Sequence, residues 1–150
     1  MKNKKFFNCE DLQGSIYFGP NALRHCCQRF FVNGKMQGDV EILKVKSNND
    51  INVQNIVSEK KKIIKNLNNN KKTPCDGCPK IQLKEWAESK EIKINKISIE
   101  AHSKCNARCS YCSEMFYGGL NPNYNLNDML TKFRKQNFFS ENVSITWGGG

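Results

Sequence analysis

Three cysteines within eight residues, Cys105-Asn106-Ala107-Arg108-Cys109-Ser110-Tyr111-Cys112, constrain this chain more than any other stretch of it. They follow directly on residues 96–100, Lys-Ile-Ser-Ile-Glu, whose alternation of polar and apolar side chains predicts a β-strand. Segments that must gather three thiols at C-x3-C-x2-C spacing are loops, so the strand has to end where the cysteines begin. Soft thiolates spaced in this way can ligate three irons of a cubane cluster and leave the fourth iron open. A structural zinc site takes four ligands, usually in paired C-x2-C arms, and this loop has one such arm. His102 is the neighbour that completes a zinc set if the metal is zinc.

Beyond the loop, Leu126, Met129, Leu130 and Phe133 recur at helical spacing, with Asn125 or Asn127 as the expected N-cap. Residues 143–147, Val-Ser-Ile-Thr-Trp, predict a second strand. A unit starting near Ile92 thus reads strand, loop, helix, strand, which is one crossover of a parallel sheet. Two strands alone leave both edges unpaired, and the second runs into Gly148-Gly149-Gly150. The 150 residues are therefore expected to be the amino-terminal part of a longer protein, too short for a complete barrel enzyme.

The cysteine loop resembles the signature of the radical S-adenosylmethionine superfamily, C-x3-C-x-aromatic-C, with Tyr111 at the aromatic position. In that family the signature follows the first strand of a partial (β/α)6 barrel, and a Gly-Gly-Glu motif ends the second. Trp147-Gly148-Gly149-Gly150 matches the glycine part, and the Glu is absent. The resemblance covers roughly residues 92–150. It implies an α/β fold in which residues 91–150 are the first β-α-β of such a barrel and residues 1–90 a small Cys-rich α+β module. Cys105, Cys109 and Cys112 would hold a 4Fe-4S cluster, and the open iron would chelate S-adenosylmethionine. Tyr111 would lie near the adenine, and Gly148, Gly149 and Gly150 near the methionine end, where a side chain would block close approach. One electron, from a donor such as ferredoxin or flavodoxin, would cleave the sulfonium to a 5'-deoxyadenosyl radical that takes hydrogen from a substrate. The fragment alone is not expected to turn over. Lys104 and Arg108 are candidates to offset cluster charge, and Glu114 and Tyr117 to line the cofactor pocket.

Five more of the eight cysteines lie upstream: Cys9, Cys26, Cys27, Cys75 and Cys78. Cys75-Asp76-Gly77-Cys78 has the spacing of a metal knuckle. The set resembles the first half of the SPASM auxiliary-cluster domain, here preceding the barrel segment. The resemblance implies that Cys9, Cys26, Cys75 and Cys78 bind a second 4Fe-4S cluster, with Cys27 the alternative to Cys26, and it points to a peptide or protein substrate. Structural zinc suits the same four thiols. His25, next to Cys26, is expected to point away from it, as strand neighbours do.

The formal charge of +10 arises from 24 Lys and Arg against 14 Asp and Glu. Part of it lies in Lys60-Lys61-Lys62 and Lys71-Lys72, which raises a rival reading, a zinc-binding basic nucleic-acid-binding module. No aromatic or Arg side chains interleave with either run, so nucleic acid is not the expected partner. With no apolar run of membrane-span length and no signal peptide at the basic start, the chain reads as soluble and cytoplasmic, a reducing compartment in which thiols serve as metal ligands rather than bridges.

Local patterns predict strands at residues 15–18, 29–32 and 40–45, with a hairpin turn at Asn33-Gly34. Ile56, Ile63, Ile64 and Leu67 predict a helix capped by Ser58, ending at Asn68-Asn69-Asn70 and carrying its lysines on the outer face. Residues 81–87 predict a short helix.

Overall fold

The computed structural model describes residues 4–86, 92–101, 104, 105, 107, 109, 110 and 119–148. A strand with no exposed residue belongs inside a sheet, and Ser15–Phe18 (β2) is buried at all four positions. On one side it pairs in parallel with Ile94–Ile99 (β8), which pairs in parallel with Phe139–Trp147 (β9). On the other side lie Ala22–Arg24 (β3) and then Glu41–Lys44 (β6), both antiparallel to their neighbours. The result is a five-stranded mixed sheet in the order β6-β3-β2-β8-β9.

The crossover from β8 to β9 runs through the helix Leu126–Lys135 (α3), whose N-cap is Asn125, the side chain accepting from the Asp128 N–H. Its apolar stripe points Met129 and Phe133 into the core. The Phe133 ring meets Phe18 of β2 at 6.0 Å and Phe138 at 5.3 Å. The parallel crossover read from the sequence is thus present, but its inner edge is not bare. β2 covers β8, so the five-stranded sheet and the main core draw residues from both sides of residue 90.

Val53–Asn68 (α2) ends where the pattern predicts, but it starts earlier, capped by Asn52 instead of Ser58. Ile56 enters the main core, and Ile63, Ile64 and Leu67 enter a second cluster with Cys9, Leu12, Val40 and Cys75. Lys60 lies between Ile56 and Ile63 on the same face and is fully buried, contrary to the expectation that all the lysines point outward. Residues 81–87 do not form a helix. Gln82–Trp86 (β7) is a strand, antiparallel to Lys4–Asn8 (β1). Arg29–Val32 (β4) and Lys35–Gly38 (β5) form the expected hairpin, with Asn33 and Gly34 both at positive φ as a type I′ turn requires. Glu10–Gly14 (α1) is a single short turn between β1 and β2. Among the described residues no helix is long and apolar enough to cross a membrane.

Candidate metal centre

Three short connections converge beside the second cluster, and between them they bring four thiols. Cys9 ends β1 and caps α1, its Sγ accepting from the Leu12 N–H at 3.4 Å. Cys26 follows β3, and the chain there is fixed by the His25 N–H donating to the Val40 carbonyl at 2.8 Å. Cys75 and Cys78 sit in the loop between α2 and β7. Thr73 organises that loop, donating from Oγ1 to Asp76 Oδ1 at 2.6 Å and accepting from the Cys75 N–H at 3.2 Å. The Cys78 N–H closes the loop on the Cys75 carbonyl at 3.0 Å.

Cys9, Cys26, Cys75 and Cys78 line one enclosed cavity, with Leu12, Phe30, Val40 and Ile81 as its apolar wall. Cys27 is exposed and does not line it, so of the two adjacent cysteines Cys26 is the one that faces the other three. The thiols sense one another. Burial pushes Cys75 up to about 12, and its neighbours Cys9, Cys26 and Cys78 add to the rise. Burial likewise raises Cys9 and Cys26. All three are protonated at neutral pH, and a metal that takes their sulfurs must displace the protons.

Two further side chains belong to the site, and the cysteine spacing gave no hint of them. His25 lines the same cavity, is 1 % exposed, and neither ring nitrogen has a hydrogen-bond partner among the described residues. β3 ends at Arg24, so the strand alternation that would turn residue 25 away from residue 26 does not apply. Burial, and then the charge of Lys60, pull the imidazole down to about 2, so it is neutral. Lys60 donates from Nζ to the carbonyls of Asp11, Leu12 and Ser15 at 3.0, 3.4 and 2.7 Å. Burial lowers its pKa to about 7, against the pull of Cys9, Asp11 and Cys26. Its helical position, i+4 from Ile56 and i−3 from Ile63, was the available signal.

The donor chemistry fits a tetrathiolate metal group: four thiols on one cavity, a buried cation nearby, and an orphaned imidazole. Among the described residues no three His, Cys, Asp or Glu side chains are arranged to hold an ion. The void is about 10 Å³, the room of about one water. A group larger than a single ion therefore needs the half-exposed Cys26 and Cys78 to swing outward.

The second cysteine set follows β8 in the sequence, beyond the carboxyl end of that strand. Phe18, Ile99 and Trp147 are level in the register, so β2, β8 and β9 end together. Glu100 donates its N–H to the Phe18 carbonyl and Gly148 its N–H to the Ile99 carbonyl, each at 2.9 Å. A Cβ on Gly148 would stand 2.8 Å from Glu100 Oε1, so any side chain there would have to push that carboxylate aside. Tyr17 donates its hydroxyl to the same carboxylate. Burial, and then Glu100, raise the Tyr17 pKa, so the phenol stays protonated. Cys105 and Cys109 follow, both half-buried, and Cys105 Sγ accepts from the Ala107 N–H at 3.4 Å. Cys112, Tyr111, Gly149 and Gly150, and with them His102, Arg108, Glu114 and Tyr117, lie outside the described residues. The chain matches no protein-family model, no curated protein and no solved structure.

Proposed function

We propose that this chain belongs to a radical S-adenosylmethionine enzyme, with Cys105, Cys109 and Cys112 holding its 4Fe-4S cluster and the upstream four thiols holding an auxiliary metal group. The observation that carries the reading is the level carboxyl edge of β2, β8 and β9, with the cysteine segment following β8 in the sequence and Gly148 following β9. In open α/β sheets ligands collect outside the carboxyl ends of parallel strands. This edge therefore suits the cofactor, and the parallel β8-α3-β9 crossover is compatible with the opening of a partial (β/α)6 barrel. The cluster supplies one electron for reductive cleavage of the sulfonium.

The chain's own residues bind and orient. The thiolates hold three irons, Gly148 leaves its backbone open to close approach, and the Tyr17-fixed carboxylate of Glu100 offers an acceptor to a cationic amino group beside it. Ferredoxin or flavodoxin as electron donor, and a peptide or protein as substrate, are part of the same proposal and rest on the resemblance.

The test is anaerobic reconstitution with iron and sulfide, comparing wild type with a Cys105, Cys109 and Cys112 triple Ala variant. The reading expects about four irons to vanish in the variant and the spectrum of the reduced wild type to change on adding S-adenosylmethionine. Folded wild type that takes zinc alone and ignores the cofactor overturns it. A steep salt-dependent affinity for nucleic acid in that case would favour the basic metal-binding module. A second reading concerns only the upstream site, where the small void favours a single zinc ion over a cubane.

A further inference from the structure

We propose that His25 is a fifth working group of the upstream site: when Cys9, Cys26, Cys75 and Cys78 hold a metal, its ring N–H donates a hydrogen bond to a coordinated sulfur. The inference rests on reading those four thiols as one metal site, and it holds for a single ion or a cluster alike.

The argument starts from the imidazole. His25 is 1 % exposed, faces the cavity, and has no partner for either ring nitrogen among the described residues. A neutral imidazole carries one N–H donor and one acceptor, and buried polar groups without partners are rare enough to need a reason. Much of the cavity wall is apolar, formed by Leu12, Phe30, Val40 and Ile81. Lys60, the cation whose charge His25 feels, already gives its ammonium protons to three carbonyls.

Asp11, Gln28 and Lys80 also line the cavity, but none of them bonds the ring, and Asp11 Oδ1 already accepts from Ser15 Oγ at 2.9 Å. The sulfurs are the cavity groups whose accepting power a metal would raise. A protonated thiol is a weak acceptor, whereas a metal-bound thiolate carries charge and accepts strongly. On filling, the thiol protons leave to solvent as metal–sulfur bonds form, and the acceptor that the imidazole lacks is created beside it. Four cysteines already satisfy a tetrahedral ion, or one position on each of four irons, so His25 is surplus as a ligand and is left as a donor. It is a positioning residue of the kind that orients and tunes a metal site from outside the ligand set.

The test uses the full chain carrying Cys105→Ser, Cys109→Ser and Cys112→Ser, so that the upstream thiols alone can bind. It is loaded with cadmium(II) enriched in a spin-half isotope, and both the metal and the histidine ring are read by NMR. The expected result is a metal shift in the four-sulfur range and a slowly exchanging His25 ring N–H with scalar coupling to the metal. In His25→Leu the ring signal is lost, the four-sulfur shift moves slightly, and cadmium exchanges several-fold faster. His25→Gln, which keeps a side-chain N–H, recovers part of the slow exchange.

A shift in the range of three sulfurs and one nitrogen overturns the proposal by making His25 a ligand. A fast-exchanging, uncoupled ring N–H overturns it as well, and that wild-type reading decides the matter even if His25→Leu folds poorly. Failure of this triple Ser chain with His25 intact to take cadmium overturns the four-cysteine reading itself, before any His25 variant is compared.

Discussion

Lys60 sits where an ammonium is least at home, and what it touches explains why it stays. The last carbonyls of a helix lack intrahelical partners and attract cations. Lys60 Nζ reaches the carbonyls of Asp11 and Leu12 in α1 and of Ser15 just beyond it. The titratable groups facing it are Asp11 and the thiols of Cys9 and Cys26, with His25 close enough to feel its charge. Burial still wins and brings its folded pKa to about 7 from 10.5. Because the folded value lies below the unfolded one, the unfolded chain binds the extra proton between those limits. Stability of the metal-free protein therefore rises with pH through this window, by roughly 1.4 kcal/mol per unit at most. The depressed His25 value adds nothing above about 6.5. The raised thiols of Cys9, Cys26 and Cys75 reverse the trend above about 9. Urea midpoints taken between pH 7 and 8, below the range where the thiols titrate, should climb in the wild type and change much less in Lys60→Met; equal slopes in the two would contradict the assignment. A simpler contrast separates the adjacent cysteines. Cys26→Ser should abolish metal retention at the upstream site, whereas Cys27→Ser, altering an exposed thiol outside the cavity, should leave the metal count unchanged.

Elements defined by local chemistry were legible in the sequence, and those defined by distant partners were not. Asn33-Gly34 favours a type I′ turn by itself and was readable, and the cap of α3 was narrowed to two asparagines, of which Asn125 is the one used. β7 was not. Leu83 and Trp86 are three apart, a helical spacing, but Phe7 faces Leu83 across the β1-β7 ladder, a pairing that no local window contains. In the structure Trp86 is buried and Leu83 is 58 % exposed, so they do not share a helix face. The site divides in the same way. Cysteines declare their chemistry at any position, while His25 and Lys60 became site residues only once β3 ended early and α2 turned that face inward. The Cys75–Cys78 loop supplies the prediction at this scale. Gly77 has φ +81° and a Cβ there would meet Val32 Cγ2 at 2.7 Å. Gly77→Ala should therefore cost more than about 1 kcal/mol through the positive φ and the contact together. Adding Val32→Ala should recover the contact part and leave the φ part, which denaturant titration of the two variants can resolve. No loss of stability in Gly77→Ala would mean that the loop adopts another conformation.

For the whole molecule, the deciding feature is that the main core is shared across residue 90. Ile16, Phe18, Leu23, Ile42, Val45, Ile51 and Ile56 come from before it, and Ile92, Ile94, Ile97, Ile99, Tyr124, Met129, Phe133 and Phe138 from after it. Phe18 alone touches the rings of Tyr124 at 6.1 Å and Phe133 at 6.0 Å. Each fully buried side chain of this size contributes about 1.5–3 kcal/mol, so the upstream seven contribute on the order of 10 kcal/mol, comparable with the entire 5–15 kcal/mol that holds a typical domain together. Without β2, strand β8 also loses its parallel partner and bares one edge. Residues 91–150 expressed by themselves should accordingly fail to hold the β8-α3-β9 unit, giving collapsed amide dispersion and rapid exchange at Ile97 and Ile99, while the full chain protects both. A cooperatively unfolding 91–150 piece with native-like protection would show that the crossover stands independently. The upstream module would then be an attachment to the sheet and not part of what holds the strand that the cysteine loop follows.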